Sequence, residues 1–260
     1  MLVVGEGQVR GDMVSELKSP EARLKPPLTV VLISHPKEGA VLFGAGLPAD
    51  MNGRRLKGSA LSPFTVAPGK DLASRLAAAG VSPEDVKGVI LPDLAPEWAG
   101  GRGLPQRVHL HLLPGLDQPE APGARKGHAR SPSLYSGRTI ENTRLFWNTP
   151  YGTFDHGIDL FKDGTIILID LDGGVAGGMG AWVNLDSGPL LLAGPGAFVY
   201  DNIFDSALPD RKFVVDISSF MWNARAMKLV TEAAPRLVIL PAHDLSTLKL
   251  SPRPDISLFP

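Results

Sequence analysis

The run from Gly157 to Gly194, GIDLFKDGTIILIDLDGGVAGGMGAWVNLDSGPLLLAG, limits the fold of this chain more than any other stretch. Apolar, strand-forming runs (GIDLF, TIILIDL, GAWVNL, PLLLAG) alternate with KDG, a glycine loop and DSG. Those breaks carry the residue types that close tight hairpins, so the stretch reads as a meander of antiparallel strands. A helix is expected next, from about Ser218 to Ala234, with Met221, Ala224, Met227 and Val230 in helical register. RLVILPAHD then reads as a further buried strand.

The first half repeats this plan. LTVVLIS (28–34) and AVLFGAG (40–46) flank HPKEG, which predicts a hairpin at a sheet edge. In GKDLASRLAAAG, Leu72, Leu76 and Ala79 share a helical face and Gly80 is the stop. Ser82 and Pro83 then supply an N-cap and a first helical residue. VKGVILP (86–92) is too continuously apolar for an exposed strand and belongs mid-sheet with both faces covered. Two halves of this kind suggest two sheets packed face to face with helices outside. Residues 113–133, rich in Pro, Gly and charge and lacking a hydrophobic period, read as a long loop.

Composition narrows the function classes. A chain of 260 residues, 43% hydrophobic and 20% charged, buries a sizeable core, and we read it as one domain over 1–260. The net charge is −1, with no run of five like charges, so neither nucleic acid nor an anionic membrane is an expected partner. The absence of cysteine removes disulfides, thiolate nucleophiles and Cys-ligated metals together. The opening MLVVGEGQVRGDMVSELKSP has neither a secretory pattern nor a spanning helix, and a cytoplasmic location is expected. No serine elbow, P-loop or dinucleotide fingerprint is visible. GGVAGGMG follows one strand and leads into another, so no helix start is there to cradle a phosphate.

Several landmarks then occur in the order of a known family. GVSPEDVKGVILPDLAPEWAGG, FGAG (43–46), LDGGVAGG (171–178), LLAGPGAFVYDN (191–202) and LPAHD resemble the frame of the metallo-β-lactamase superfamily, nearest in layout to N-acyl homoserine lactonases and glyoxalase-like hydrolases. The resemblance covers about residues 28–245 and implies an α+β fold, a four-layer αββα sandwich. It also implies where metal ligands would stand. In the HxHxDH motif Asp93 and Ala95 take the first two His positions, Glu97 the Asp and Trp98 the last His. Gly174 stands for a further ligand His, Pro195 for the bridging Asp and Gly44 for the Asp of an upstream motif, while His243 alone keeps its family identity.

A catalytic zinc needs at least three protein donors. On this mapping one site retains only Asp93 and the other only Glu97 and His243, so no dinuclear zinc and no other cofactor is expected. A mononuclear site of Asp93, Glu97 and His243 is the residual metal reading. Two functions follow. The chain is a non-hydrolytic binding or scaffolding protein, or a metal-independent hydrolase, lyase or cyclase of small acyl or polyketide-like molecules. In the second, His243 works as acid or base with Glu97 or Asp93. Trp98, His156 at the expected cleft mouth, and Asp172 and Asp244 on two of the landmarks form the candidate binding set. A small-molecule ligand is the expected partner, and homo-oligomerisation stays open. His109 and His111, two apart on a strand, read as a structural pair; His35 and His128 read as solvated, and Trp147, Trp182 and Trp222 as core.

Overall fold

The computed structural model describes residues 1–47, 55–56, 64–93, 95–99, 109–112, 140–142, 149–175, 177–246, 248 and 253–258. Residues 55–56, 96, 99, 109–112 and 140–142 are described through their backbone alone. The 113–133 segment, His128, Trp147 and the side chains of His109 and His111 thus lie outside the described residues.

The first sheet has the spatial order β10 (Ile140–Asn142), β9 (His109–Leu112), β8 (Val86–Ile90), β5 (Gly39–Phe43), β4 (Pro27–His35), β1 (Leu2–Glu6), β7 (Phe64–Thr65) and β6 (Arg55–Leu56). The second has the order β11 (Thr149–Tyr151), β12 (Phe154–Asp159), β13 (Ile166–Asp170), β14 (Met179–Leu185), β15 (Gly188–Leu192) and β16 (Val238–Leu240). A small ribbon pairs β2 (Val9–Arg10) with β3 (Arg23–Leu24). Turn chemistry accounts for the hairpins: Lys162 and Gly164 of KDG, and Gly188 of DSG, have positive φ.

Each sheet continues from an antiparallel hairpin through a helix to a parallel strand. Helix α2 (Leu72–Ala78) lies between β5 and β8, and its N-cap Asp71 accepts from Ser74 N. A longer helix, Ile217–Ala233, lies between β15 and β16 and is capped by Asp216, which accepts from Ser218 and Ser219 N. Between them in the chain come α3 (Pro96–Ala99) and α4 (Tyr200–Phe204), which makes the long helix α5; α1 is the single turn Gly11–Val14.

Apolar burial falls into three clusters, as four layers require. Leu72 and Leu76 of α2 pack on Leu2, Val4, Leu28 and Leu42. Val31, Ile33, Phe43 and Ile90 of the first sheet meet Leu168, Ala181, Val183 and Leu192 of the second. Ala226, Met227 and Val230 of α5 cover Ile167, Ile169 and Leu191. The fold is thus the α+β four-layer αββα sandwich. No helix among the described residues is long and apolar enough to cross a membrane.

Four local expectations are corrected. The 27–43 hairpin is interior, because β1 pairs beyond β4 and β8 beyond β5. In α5 Phe220 enters the core and Met221 stays exposed, which rotates the buried stripe by one residue at its N-terminal end. Trp222 is 56% exposed and donates from Nε1 to Asp155, outside the core. His35 is buried: its Nδ1 accepts from Lys37 and Glu38 N, while Nε2 lies 2.9 Å from Thr165 Oγ1 and 3.1 Å from Asp163 Oδ2. The KDG turn of the second sheet folds over that imidazole and clasps the two sheets together.

Candidate functional site

The C-terminal ends of β5, β8, β13, β15 and β16 lead into one set of loops, the place where layered α/β folds usually bind ligands. Backbone bonds tie these loops together. Gly44 N donates to Ile90 O, Ala45 N to Trp98 O, Met179 N to Pro92 O, and Ala242 and His243 N to Ala197 and Phe198 O. The two sheets are therefore joined at this edge by main chain as well as by packing.

Trp98 and His243 meet at the centre, and both are buried. Their ring centroids are 6.2 Å apart, with Phe64 at 5.7 Å and Phe198 at 6.4 Å from the imidazole. Phe43 packs edge-on to Trp98 from the other side. The imidazole Nδ1 lies 3.1 Å from Pro27 O, a carbonyl that can only accept, so Nδ1 carries the proton. Burial pulls the His243 pKa down to about 4, so the ring is neutral at ordinary pH.

Asp93 and Glu97 precede Trp98 by five residues and by one, and both are also buried. Asp93 Oδ1 accepts from Ala95 N at 2.5 Å, closing a turn that starts the loop into α3. Burial pushes the Asp93 carboxyl up to about 8, the Glu97 charge adds to the rise, and the Ala95 N–H opposes it. Asp93 is thus a protonated acid at neutral pH, held beside a second carboxyl.

The other candidate binding residues are placed differently. Asp172 is exposed and its Oδ1 accepts from Gly173 and Gly177 N, shaping the glycine loop. Asp244 accepts from Ser246 and Tyr200 N. His156 Nδ1 lies 3.4 Å from Asp170 Oδ2 on the adjacent strand, with the His156 side chain half-buried. The structure therefore brings Trp98 and His243 together, sets Glu97 next to Trp98 in α3 with Asp93 in the loop before it, and leaves the rest on loops and on β12.

The residues present do not fit a metal of the kind the resemblance implies. An ideal Cβ on Gly174 would sit 2.1 Å from Pro195 O, so that position has no space for any side chain. Trp98 contributes an apolar ring, and Gly44 packs against it. Among the described residues no three His, Asp or Glu side chains converge as a ligand set. The void left beside Trp98, bordered by Thr29, Phe43, Leu192 and Ala242, is about 10 Å³. Phe64 and Phe198, which box the imidazole, were not singled out in the sequence; Phe198 lies three residues past Pro195, and Phe64 gave no signal.

No family model and no curated protein matches the sequence. Solved structures do. An N-acyl homoserine lactone hydrolase with N-hexanoyl-L-homoserine at its catalytic metal centre superposes with a TM-score of 0.75 at 16% identity, over 96% of this chain and 94% of that one. The AiiA protein of B. thuringiensis with N-decanoyl-L-homoserine at its active site gives 0.74 at 16% identity, over 96% and 94%. A hydrolase of the β-lactamase superfamily, AbOPH, gives 0.58 at 14% identity, over 94% and 91%. By architecture and by these likenesses, the chain has the metallo-β-lactamase fold.

Proposed function

We propose that this chain is a non-hydrolytic member of its fold, a small-molecule-binding or scaffolding protein whose metal site has been replaced by packing. The observation that supports this most is the burial of Trp98 against Gly44, Phe43 and His243, with only about 10 Å³ left open. A buried aromatic cluster stabilises the edge of the sandwich that a coordinated metal would otherwise tie together. Among the described residues it leaves no room for an acyl substrate between Trp98, Phe43 and Ala242.

A second reading, metal-independent acid/base catalysis, has one observation in its favour. The protonated Asp93 beside Glu97 is a carboxylic acid able to donate at neutral pH. Its weakness is His243, whose Nδ1 is engaged by Pro27 and whose ring is enclosed by aromatic side chains.

A hydrolysis screen separates the two. N-acyl homoserine lactones, simple esters and thioesters are incubated with the wild type, Asp93→Asn and His243→Gln. The non-hydrolytic reading expects no turnover above background in any of them. Turnover by the wild type that is lost in either variant would replace it with the catalytic reading.

A further inference from the structure

The sandwich holds a second cavity, of about 660 Å³, further along the strands from Trp98. Pockets that take small organic molecules have roughly this size, about 300–1,000 Å³. On β4, Thr29 borders the small void at Trp98 while Ile33 borders the large cavity; on β15, Leu192 borders the former and Leu190 the latter. Met1 and Val31 stand between the two and border both. Apart from those two residues, the lining of the large cavity is distinct from that of the void at Trp98.

Its apolar lining comes from between the sheets, Val31 and Ile33 with Val183 and Leu190, and continues past Leu32, Ala79 and Val81 on the α2 side. The polar lining is unbalanced in charge. Asp186 and Asp255 contribute carboxylates, and among the described residues no Lys, Arg or His side chain lines the space. Asp255 is already engaged by Ser187 and lies 3.7 Å from Arg253. Asp186 is exposed at the rim and has no cationic partner among the described residues. The Met1 amine donates to Ser257 O, and burial pulls its pKa down to about 6, so it is mostly uncharged at neutral pH.

We propose that this inter-sheet cavity binds a small amphipathic amine, its apolar body between Ile33 and Leu190 and its ammonium group paired with Asp186. An anionic or neutral ligand of the same shape would lack that pairing. The inference deepens the proposed binding role by placing the ligand away from the former metal edge. The two stand apart in test: hydrolytic turnover would overturn the non-hydrolytic reading and leave this site standing.

The experiment is calorimetric titration of the full chain at pH 7 with n-octylammonium, n-octanoate and n-octanol. Wild-type protein is compared with Asp186→Asn and with Ser34→Trp, which sets an indole at the cavity rim. The expected result is one saturable site for n-octylammonium, bound at least about tenfold more tightly than n-octanoate, as for a hydrogen bond to a charged group. Asp186→Asn should abolish that preference, and Ser34→Trp should abolish saturable binding. Absence of saturable n-octylammonium binding, equal affinity for n-octanoate, or an unchanged preference in Asp186→Asn would overturn the proposal. If Ser34→Trp fails to fold, Asp186→Asn decides alone.

Discussion

The Trp98 indole lies so close over Gly44 that an ideal Cβ at residue 44 would sit 2.8 Å from Trp98 Cε3. Gly44 also has φ +83°, a conformation that suits glycine. The two residues stand where the resemblance places two metal-site side chains, and each is explained by the other: the ring fills the space, and the missing side chain lets it in. Trp98→Ala should therefore cost about 3–5 kcal/mol in chemical denaturation, as for other large buried aromatics. Gly44→Ala should also destabilise, and by less in a Trp98→Ala background than alone, because the clash goes and only the φ strain remains. Strictly additive effects would show that the contact is not what holds residue 44 to glycine.

His243 sets the acid limb of stability. Its pKa is about 6.5 in the unfolded chain and about 4 in the folded one, so the unfolded state takes up the proton first as pH falls. The contribution is complete above pH 6.5 and is lost between about 6.5 and 4, a change of about 3 kcal/mol. Denaturation curves for His243→Gln across that window should lack this slope, whereas a wild-type slope in the variant would assign it to another group.

Asp93 acts in the opposite sense. Its pKa rises from 3.8 to about 8 on folding, so the folded protein holds a proton that the unfolded chain has released. Stability attributable to this group is greatest below about pH 4 and declines as pH rises through 8. Between pH 6.5 and 8 His243 no longer titrates, while the Met1 amine, lowered from 8.0 to about 6, acts in the opposite sense, so the share of Asp93 is read from the difference between wild type and Asp93→Asn. Asp93→Asn keeps an acceptor for Ala95 N without the charge, and it should be more stable than wild type at pH 8 by thermal melting. A less stable variant there would show that Asp93 is ionised and stabilised in the fold.

Hairpins and helix stops were legible in the sequence because their causes are local. Asp71, Gly80, Ser82 and the KDG and DSG turns each act on the few residues around them. The landmarks gave the sandwich, and they placed Trp98 and His243 at one edge. What was not legible depends on partners far away in the chain. His35 is buried by Asp163 and Thr165 of the other sheet, and its own hairpin gives no hint of that. Phe64 on β7 and Phe198 in the loop after β15 converge on His243, and the exchange of Met221 for Phe220 follows from how α5 sits on the sheet. The cavity near Asp186 is likewise a product of sheet spacing, invisible to any periodicity.

Metal content tests the central claim most directly, since that claim is that packing has replaced coordination at the former ligand positions. Protein purified without added zinc is digested and its transition metals counted by elemental analysis. The account predicts well below one equivalent per chain, with no change in melting temperature on adding a chelator. Close to two zinc per chain, with a melting temperature that falls when the metal is removed, would contradict it.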